Sequence, residues 1–237
     1  AIDEIRLRYR SAPMPELPVF HGGWVGYFGY DTVSYVEARL ANSAPPDDLG
    51  LPDISLILAE EVVIFDNLAG ALTLVVNTDS DAADAYPDAV ERLDELEMQL
   101  GLQGVALEPV SLAPSDTQAI EAEMRFSADR ATFERWVERV KAYIYAGDVM
   151  QVVPSQRIKL PFSRSPLTLY RALRNLNPSP YLYFLDFGTL QIVGSSPEIL
   201  VRLEKGEVTV RPIAGTRKRG QNAEDDDLLA EELLNDQ

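Results

Sequence analysis

Two pairs of short β-rich runs, each joined by two or three residues that include a glycine, constrain the fold of this chain more than any other feature. Tyr181 to Phe187 and Leu190 to Val193 flank Gly188-Thr189, and Ile199 to Glu204 and Val208 to Ile213 flank Lys205-Gly206. A connection this short cannot carry a crossover, so each pair runs antiparallel as a hairpin. In the second pair Val208 and Val210 share one face, and Thr209 and Arg211 take the other.

The same kind of signal recurs upstream. Ile54 to Ala59, Glu61 to Phe65 and Ala71 to Asn77 are β-rich, and Asp66-Asn67-Leu68-Ala69-Gly70 is a hairpin connection, which predicts a meander. Between His21 and Asp31 glycines alternate with aromatics, as in a twisted strand approached closely by other backbone. That run lacks the Gly-Lys-Ser/Thr ending of a phosphate loop. Val149 to Leu160 reads as a strand, with Pro154 inside it marking an edge position or a bulge.

Helices fall in separate blocks. Val90, Leu93, Leu96 and Leu100 recur at helical spacing, with Gly101 as the stop. Ser127 or Asp129 can cap a helix carrying Phe133, Trp136, Val137, Val140 and Ile144 on one face and ended by Gly147. A shorter helix, Leu167 to Leu176, follows Pro166, and an acid-rich one begins near Ala223. Hairpins and helices segregated in this way indicate an α+β fold built on antiparallel sheets. Residues 102–118, with Pro109 and Pro114, read as a linker between a unit over 1–101 and a second over 119–237.

Composition removes several function classes. The chain has no cysteine and a single histidine, His21, so thiolate chemistry and soft-metal sites are not expected. A net charge of -17 opposes binding to nucleic acid or acidic membranes. No apolar run is long enough to span a bilayer and no signal peptide opens the sequence, so a soluble cytoplasmic protein is expected. Arg211, Arg217, Lys218 and Arg219 form one basic run, suited to a small anion or equally to a solvated turn. Arg217 in particular could supply positive potential or pair with the acidic segment that starts at Glu224. The sequence begins without Met and its last helix has no C-terminal cap, so a fragment of a longer protein is expected.

Four runs stand in order: Gly147-Asp148-Val149-Met150-Gln151-Val152-Val153-Pro154-Ser155-Gln156-Arg157, Asn177-Pro178-Ser179-Pro180-Tyr181, Gly194-Ser195-Ser196-Pro197-Glu198 and Arg211-Pro212-Ile213-Ala214-Gly215-Thr216-Arg217. Together they resemble the chorismate-using enzymes, most closely the component I subunits of anthranilate synthase. The similarity is loose from Gly22 and tight from about Ser127 to Leu234. It implies that residues 1–101 are part of the N-terminal domain of such a subunit and 119–237 the first part of its chorismate-binding domain. In full length that fold is a two-sheet sandwich with helices packed outside.

The resemblance also implies roles. Glu198 would act as the general acid that helps the C4 hydroxyl of chorismate leave, and a general acid keeps its proton best when burial or a nearby negative charge favours it. Gln151, Gly215 and Thr216 would bind substrate. Pro180, Tyr181 and Leu182 would line a pocket for tryptophan as feedback inhibitor, with Leu182 replacing the family's usual Met. Ala214 stands where aminodeoxychorismate-forming enzymes carry a lysine nucleophile, and Gln151 where water-adding relatives carry a lysine base. Both residues favour the addition of ammonia, delivered by a glutamine amidotransferase subunit, and hence anthranilate and pyruvate as products. The aminodeoxychorismate synthase reading is the alternative. Mg2+ is the implied cofactor, with its ligands, the family's catalytic histidine and its enolpyruvyl-binding arginine expected beyond Gln237. The chain taken alone is accordingly expected to be inactive.

Overall fold

A computed structural model describes residues 2–12, 14–102, 104, 106–110, 117–211 and 215–235, with the side chains of Asp3 and Thr117 left aside. The chain divides into two compact units, one comprising Ala1–Leu107 and Phe187–Leu190, the other Glu108–Asp186 and Gln191–Gln237. The described strands make five two-stranded antiparallel ribbons, with helices between them, an α+β arrangement.

The first unit opens with helix α1 (Ile2–Arg8) and strand β1 (Gly23–Phe28), which pairs with β2 (Ile54–Ala59). Glycine is required in the middle of β1. A Cβ on Gly26 would sit 2.0 Å from the Ser55 carbonyl oxygen, so the partner strand lies where a side chain would have been. Strand β3 (Glu61–Asp66) pairs with β4 (Ala71–Val76) around a turn in which the Asp66 carboxylate accepts from the N–H groups of Leu68 and Ala69, both at 2.9 Å. Gly70 completes that turn at φ 63°.

The expected meander does not form, because β2 pairs with β1 and not with β3. One residue, Glu60, separates β2 from β3, and it is no turn former. The chain therefore runs on and changes partners. Asn77 secures the changeover: its N–H donates to the Glu60 carbonyl (2.7 Å), and its side-chain amide donates to the His21 carbonyl (2.8 Å) and again to Glu60 (3.1 Å).

Helix α2 (Ala85–Gly101) is fixed to β3 by Arg92, whose guanidinium bridges both oxygens of Glu61 (2.6 and 3.0 Å) and also reaches Glu95 (2.6 Å). The helix ends at Gly101 as anticipated, but the residue that leaves helical geometry is Leu102, extended at φ -73°, ψ 149°. Val75 is the only hydrophobic side chain that is buried among the described residues, at 8% exposure.

The second unit begins with α3 (Thr117–Glu123) and β5 (Arg125–Phe126), paired to β6 (Ile158–Lys159). Helix α4 (Arg130–Ala146) is capped by Asp129, whose side chain accepts from the Thr132 N–H at 2.7 Å, and closed by Gly147 in the left-handed region at φ 79°. Of the strand expected over Val149 to Leu160, only Ile158–Lys159 pairs. The partner β5 is two residues long and Pro154 has no N–H to give. The Gln156 side chain continues the pairing in another form, accepting from the Ala128 N–H (3.2 Å) and the Ser127 hydroxyl (2.7 Å) and donating to the Ala128 carbonyl (2.7 Å).

Helix α5 (Pro166–Leu176) starts with proline in its first turn behind Ser165, which caps the Leu167 N–H. It packs against β7 (Tyr181–Asp186) and β8 (Gln191–Ser196), the first of the two anticipated hairpins. The second is shorter than anticipated. Its arms are β9 (Arg202–Glu204) and β10 (Glu207–Thr209), and Lys205 and Gly206 both take positive φ, 51° and 84°, in the turn between them. The expected continuation over 212–213 lies outside the described residues. Helix α6 (Ala223–Leu234) closes the described chain, with Asn222 accepting from the Asp225 N–H at 2.9 Å as its cap.

Candidate functional site

Strand β8 ends where proline interrupts it. Pro197 cannot donate to a ladder, so pairing stops at Ser196 and the chain turns to present Glu198. The Ser196 hydroxyl donates to the Glu198 carbonyl at 2.8 Å, which fixes that turn. Glu198 is half-buried, and its Oε2 is a buried side-chain oxygen that finds no hydrogen-bond partner among the described residues. Buried carboxylate oxygens are ordinarily satisfied, so one left unpartnered marks a place for a donor that the described residues do not provide. Behind it, Gly194 leaves room for the Tyr183 ring, which a Cβ would meet at 2.2 Å.

The residues expected at an inhibitor pocket lie opposite this motif. Tyr181 pairs with Ser196 and Leu182 with Ser195 in the β7–β8 register, and both are half-buried, whereas Pro180 is exposed. The hairpin thus brings the Asn177–Leu182 run and the Gly194–Glu198 run together.

Gly215 and Thr216 lie elsewhere, in an exposed segment without regular structure. Helix α6 holds that segment from one side. The Leu233 side chain stands 3.2 Å from where a Cβ on Gly215 would be, and Arg217 Nε donates to Glu232 at 3.0 Å. Arg219 bridges Asp226 at 2.5 Å, and Asp226 also accepts from the Gly220 N–H at 2.8 Å. That backbone donor, followed by the Arg219 guanidinium, holds the Asp226 carboxyl below its ordinary value. Arg217, for which two roles were open, is therefore paired with the acidic helix. Two of the four cations in the basic run, Arg217 and Arg219, are thus paired with acids of α6.

Gln151 is exposed in the irregular stretch before β6, and no described hydrogen bond ties it or the 215–216 segment to Glu198. Ala214 lies outside the described residues. His21 is a structural residue, its ring held by the Ser11 hydroxyl at 2.9 Å and the Pro18 carbonyl at 3.1 Å. A cavity of about 490 Å³ lined by Phe126, Ala128, Phe133, Glu134 and Gln156 contains none of the anticipated site residues. Among the described residues no three His, Cys, Asp or Glu side chains gather in a way that could hold a metal ion, and no helix is long and apolar enough to cross a membrane.

The reading of the sequence missed Ser179, which touches both runs of the hairpin site. Its hydroxyl accepts from the Tyr181 N–H at 3.0 Å and donates to the Ser196 carbonyl. A serine between two prolines reads as a turn former, and only the register of β7 against β8 reveals its second partner.

Comparison with known proteins places these features in context. The chain is 50% identical over 235 residues to anthranilate synthase component 1 of Pseudomonas aeruginosa, covering 99% of this chain and 47% of that protein. It is 48% identical over 238 residues to the same-named protein of Neisseria gonorrhoeae, again covering 99% of this chain and 47% of the relative. Among solved structures, anthranilate synthase component I from Streptococcus pneumoniae superposes with a TM-score of 0.77 at 33% identity, over 98% of this chain and 49% of that one. The chain thus spans about half the length of the curated relatives it matches. The family model described as chorismate binding enzyme matches residues 3–237, essentially the whole sequence. With that match, two relatives near half identity and a solved structure sharing its helices and antiparallel pairs, the chain belongs to the chorismate binding enzymes.

Proposed function

We propose that this chain is part of the chorismate-converting subunit of an anthranilate synthase, the component that adds ammonia to chorismate and releases pyruvate. The single observation that carries the reading is Glu198: a half-buried carboxyl, just past the end of a strand where proline stops the ladder, with one oxygen buried and without a partner among the described residues. A ligand hydroxyl is the kind of partner such an oxygen lacks.

In this reading ammonia attacks C2 of chorismate, a proton held at the Glu198 carboxyl goes to the C4 hydroxyl, and water departs. Loss of the enolpyruvyl group as pyruvate then leaves the aromatic ring of anthranilate. Gly215 and Thr216 offer a backbone N–H and a hydroxyl for a substrate carboxylate. Gln151 and Ala214 bear no amine, so neither can activate water or attack the ring. The aminodeoxychorismate route, which needs a lysine nucleophile at position 214, has no such residue here. Ammonia comes from a glutamine amidotransferase partner, and tryptophan inhibits by binding at Pro180, Tyr181 and Leu182. Mg2+ is the cofactor of this reading and would neutralise a substrate carboxylate. Among the described residues no three His, Cys, Asp or Glu side chains gather to hold it.

The test uses the intact subunit that contains this chain, with chorismate, Mg2+ and ammonium, following anthranilate fluorescence. Glu198→Gln is expected to lower kcat by about 10²- to 10⁴-fold, the usual contribution of a positioned general acid. Formation of aminodeoxychorismate or isochorismate, or an unchanged kcat in the variant, would overturn the reading.

A further inference from the structure

At the end of β8 the ladder runs out of donors just before the residue that most needs fixing. Pro197 has no N–H, so nothing in the ladder continues past Ser196, and Glu198 stands only two residues further on. The supports that remain come from hydroxyls. Ser179 Oγ accepts from the Tyr181 N–H and donates to the Ser196 carbonyl, Ser195 Oγ donates to the Asn177 carbonyl at 3.0 Å, and Ser196 Oγ donates to the Glu198 carbonyl. Ser179 and Ser196 are half-buried, which shields these bonds from exchange with water.

From this arrangement we infer that Ser179 is a positioning residue for the Glu198 carboxyl. Its hydroxyl bridges the Tyr181 N–H and the Ser196 carbonyl, the backbone groups of the last register pair before Pro197. It holds the Ser196 carbonyl, and with it the orientation of the Pro197 peptide that aims Glu198. The inference rests on the proposed role of Glu198 as general acid. Ser179 itself touches no reacting atom.

A side chain that sets the aim of a general acid affects the chemical step and not substrate capture. Misplacement of a catalytic group by about 1 Å costs on the order of 100-fold in rate. In the intact subunit with chorismate, Mg2+ and ammonium, Ser179→Ala is expected to lower kcat about 10- to 100-fold while leaving KM for chorismate within about threefold. Ser179→Thr, which keeps the hydroxyl, is expected to restore most of the loss, and the isosteric Ser179→Val to restore none. The Thr and Val variants have the same shape, so their comparison decides the matter even if the Ala variant folds poorly. In a Glu198→Gln background Ser179→Ala is expected to cause no further loss, because its effect runs through that carboxyl.

Equal kcat for the Thr and Val variants, a loss appearing in KM, or an undiminished loss in the Glu198→Gln background would each overturn the inference. Failure of the underlying reading looks different: Glu198→Gln would then keep wild-type kcat whatever Ser179 does.

Discussion

Gly26→Ala introduces one methyl group in the middle of β1, and the structure gives the size of the collision. The new carbon would lie 2.0 Å from the Ser55 oxygen and 2.9 Å from both Ser55 C and Leu56 Cα, all of them backbone atoms. Carbon atoms of this kind essentially never approach closer than 3.0 Å, so the strands must part by about 1 Å. No side-chain rotation relieves the contact, because Ser55 and Leu56 are held in a six-residue register. Overpacking of this sort costs about 1–3 kcal/mol, and a cross-strand hydrogen bond stretched beyond use costs about 1 more. The expected total is about 3 kcal/mol, or roughly a 140-fold change in the folding equilibrium.

Trp24 pairs with Leu58 two residues from the substitution and stacks edge-on against Tyr9 at 5.5 Å, so its fluorescence reports this ribbon. With Trp136→Phe in both backgrounds, Gly26→Ala is expected to lower the urea midpoint by about 1–3 M, given slopes of about 1–3 kcal/mol per molar. Gly101→Ala provides the contrast. Its Cβ meets nothing within 4 Å, and it is expected to gain a few tenths of a kcal/mol from helix propensity. A midpoint shift under about 0.3 M for Gly26→Ala would refute the claim that β2 backbone occupies the missing side chain's place.

Acid stability carries a sign set by depressed carboxylates, Glu61 beside Arg92 and two more that cap or brace helices. Asp226 is held below its ordinary value by the Gly220 N–H and then Arg219, and Asp129 by the Thr132 N–H and hydroxyl. A depressed carboxylate contributes stability above its unfolded value and loses it as pH falls through its folded one. Thermal midpoints are therefore expected to fall on acidification below about pH 4, and less steeply in Asp226→Asn and Asp129→Asn; slopes unchanged in both variants would contradict this. Gly147→Ala forces a Cβ into the left-handed region at φ 79° and is expected to destabilise α4 by about 1 kcal/mol, measurable as a loss of helical circular dichroism on heating.

Short-range chemistry made much of this fold legible. The Gly188-Thr189 and Lys205-Gly206 connections identify their hairpins because a two-residue turn fixes both partners at once, and Asp129 and Gly147 mark α4 because they satisfy its end groups. What the sequence does not announce is who pairs with whom over longer distances. Val149, Val152 and Val153 have the β propensity of a strand, yet propensity is no partner, and β5 offers two residues only. The same gap explains the meander, since nothing in Ile54 to Phe65 says that β1 claims its first half and β4 its second. At the candidate site, Glu198 is found through its motif, whereas Ser179 depends on the meeting of residues 179 and 196 across a register that no local pattern encodes. The pairing of Arg217 with Glu232 is likewise a tertiary fact, chosen by where α6 docks.

The Lys205-Gly206 connection has one more implication. Its left-handed pair of residues suits the twist of the arms, but the first rung beyond it sets Glu204 directly against Glu207. Carboxylates facing one another in that way repel, so conformational preference in the bend holds closed what charge would open. Dissolved salt therefore acts on this protein in two directions: screening relaxes the Glu204 and Glu207 conflict and tightens that corner, while weakening the attraction of Arg92 for Glu61 and of Arg219 for Asp226.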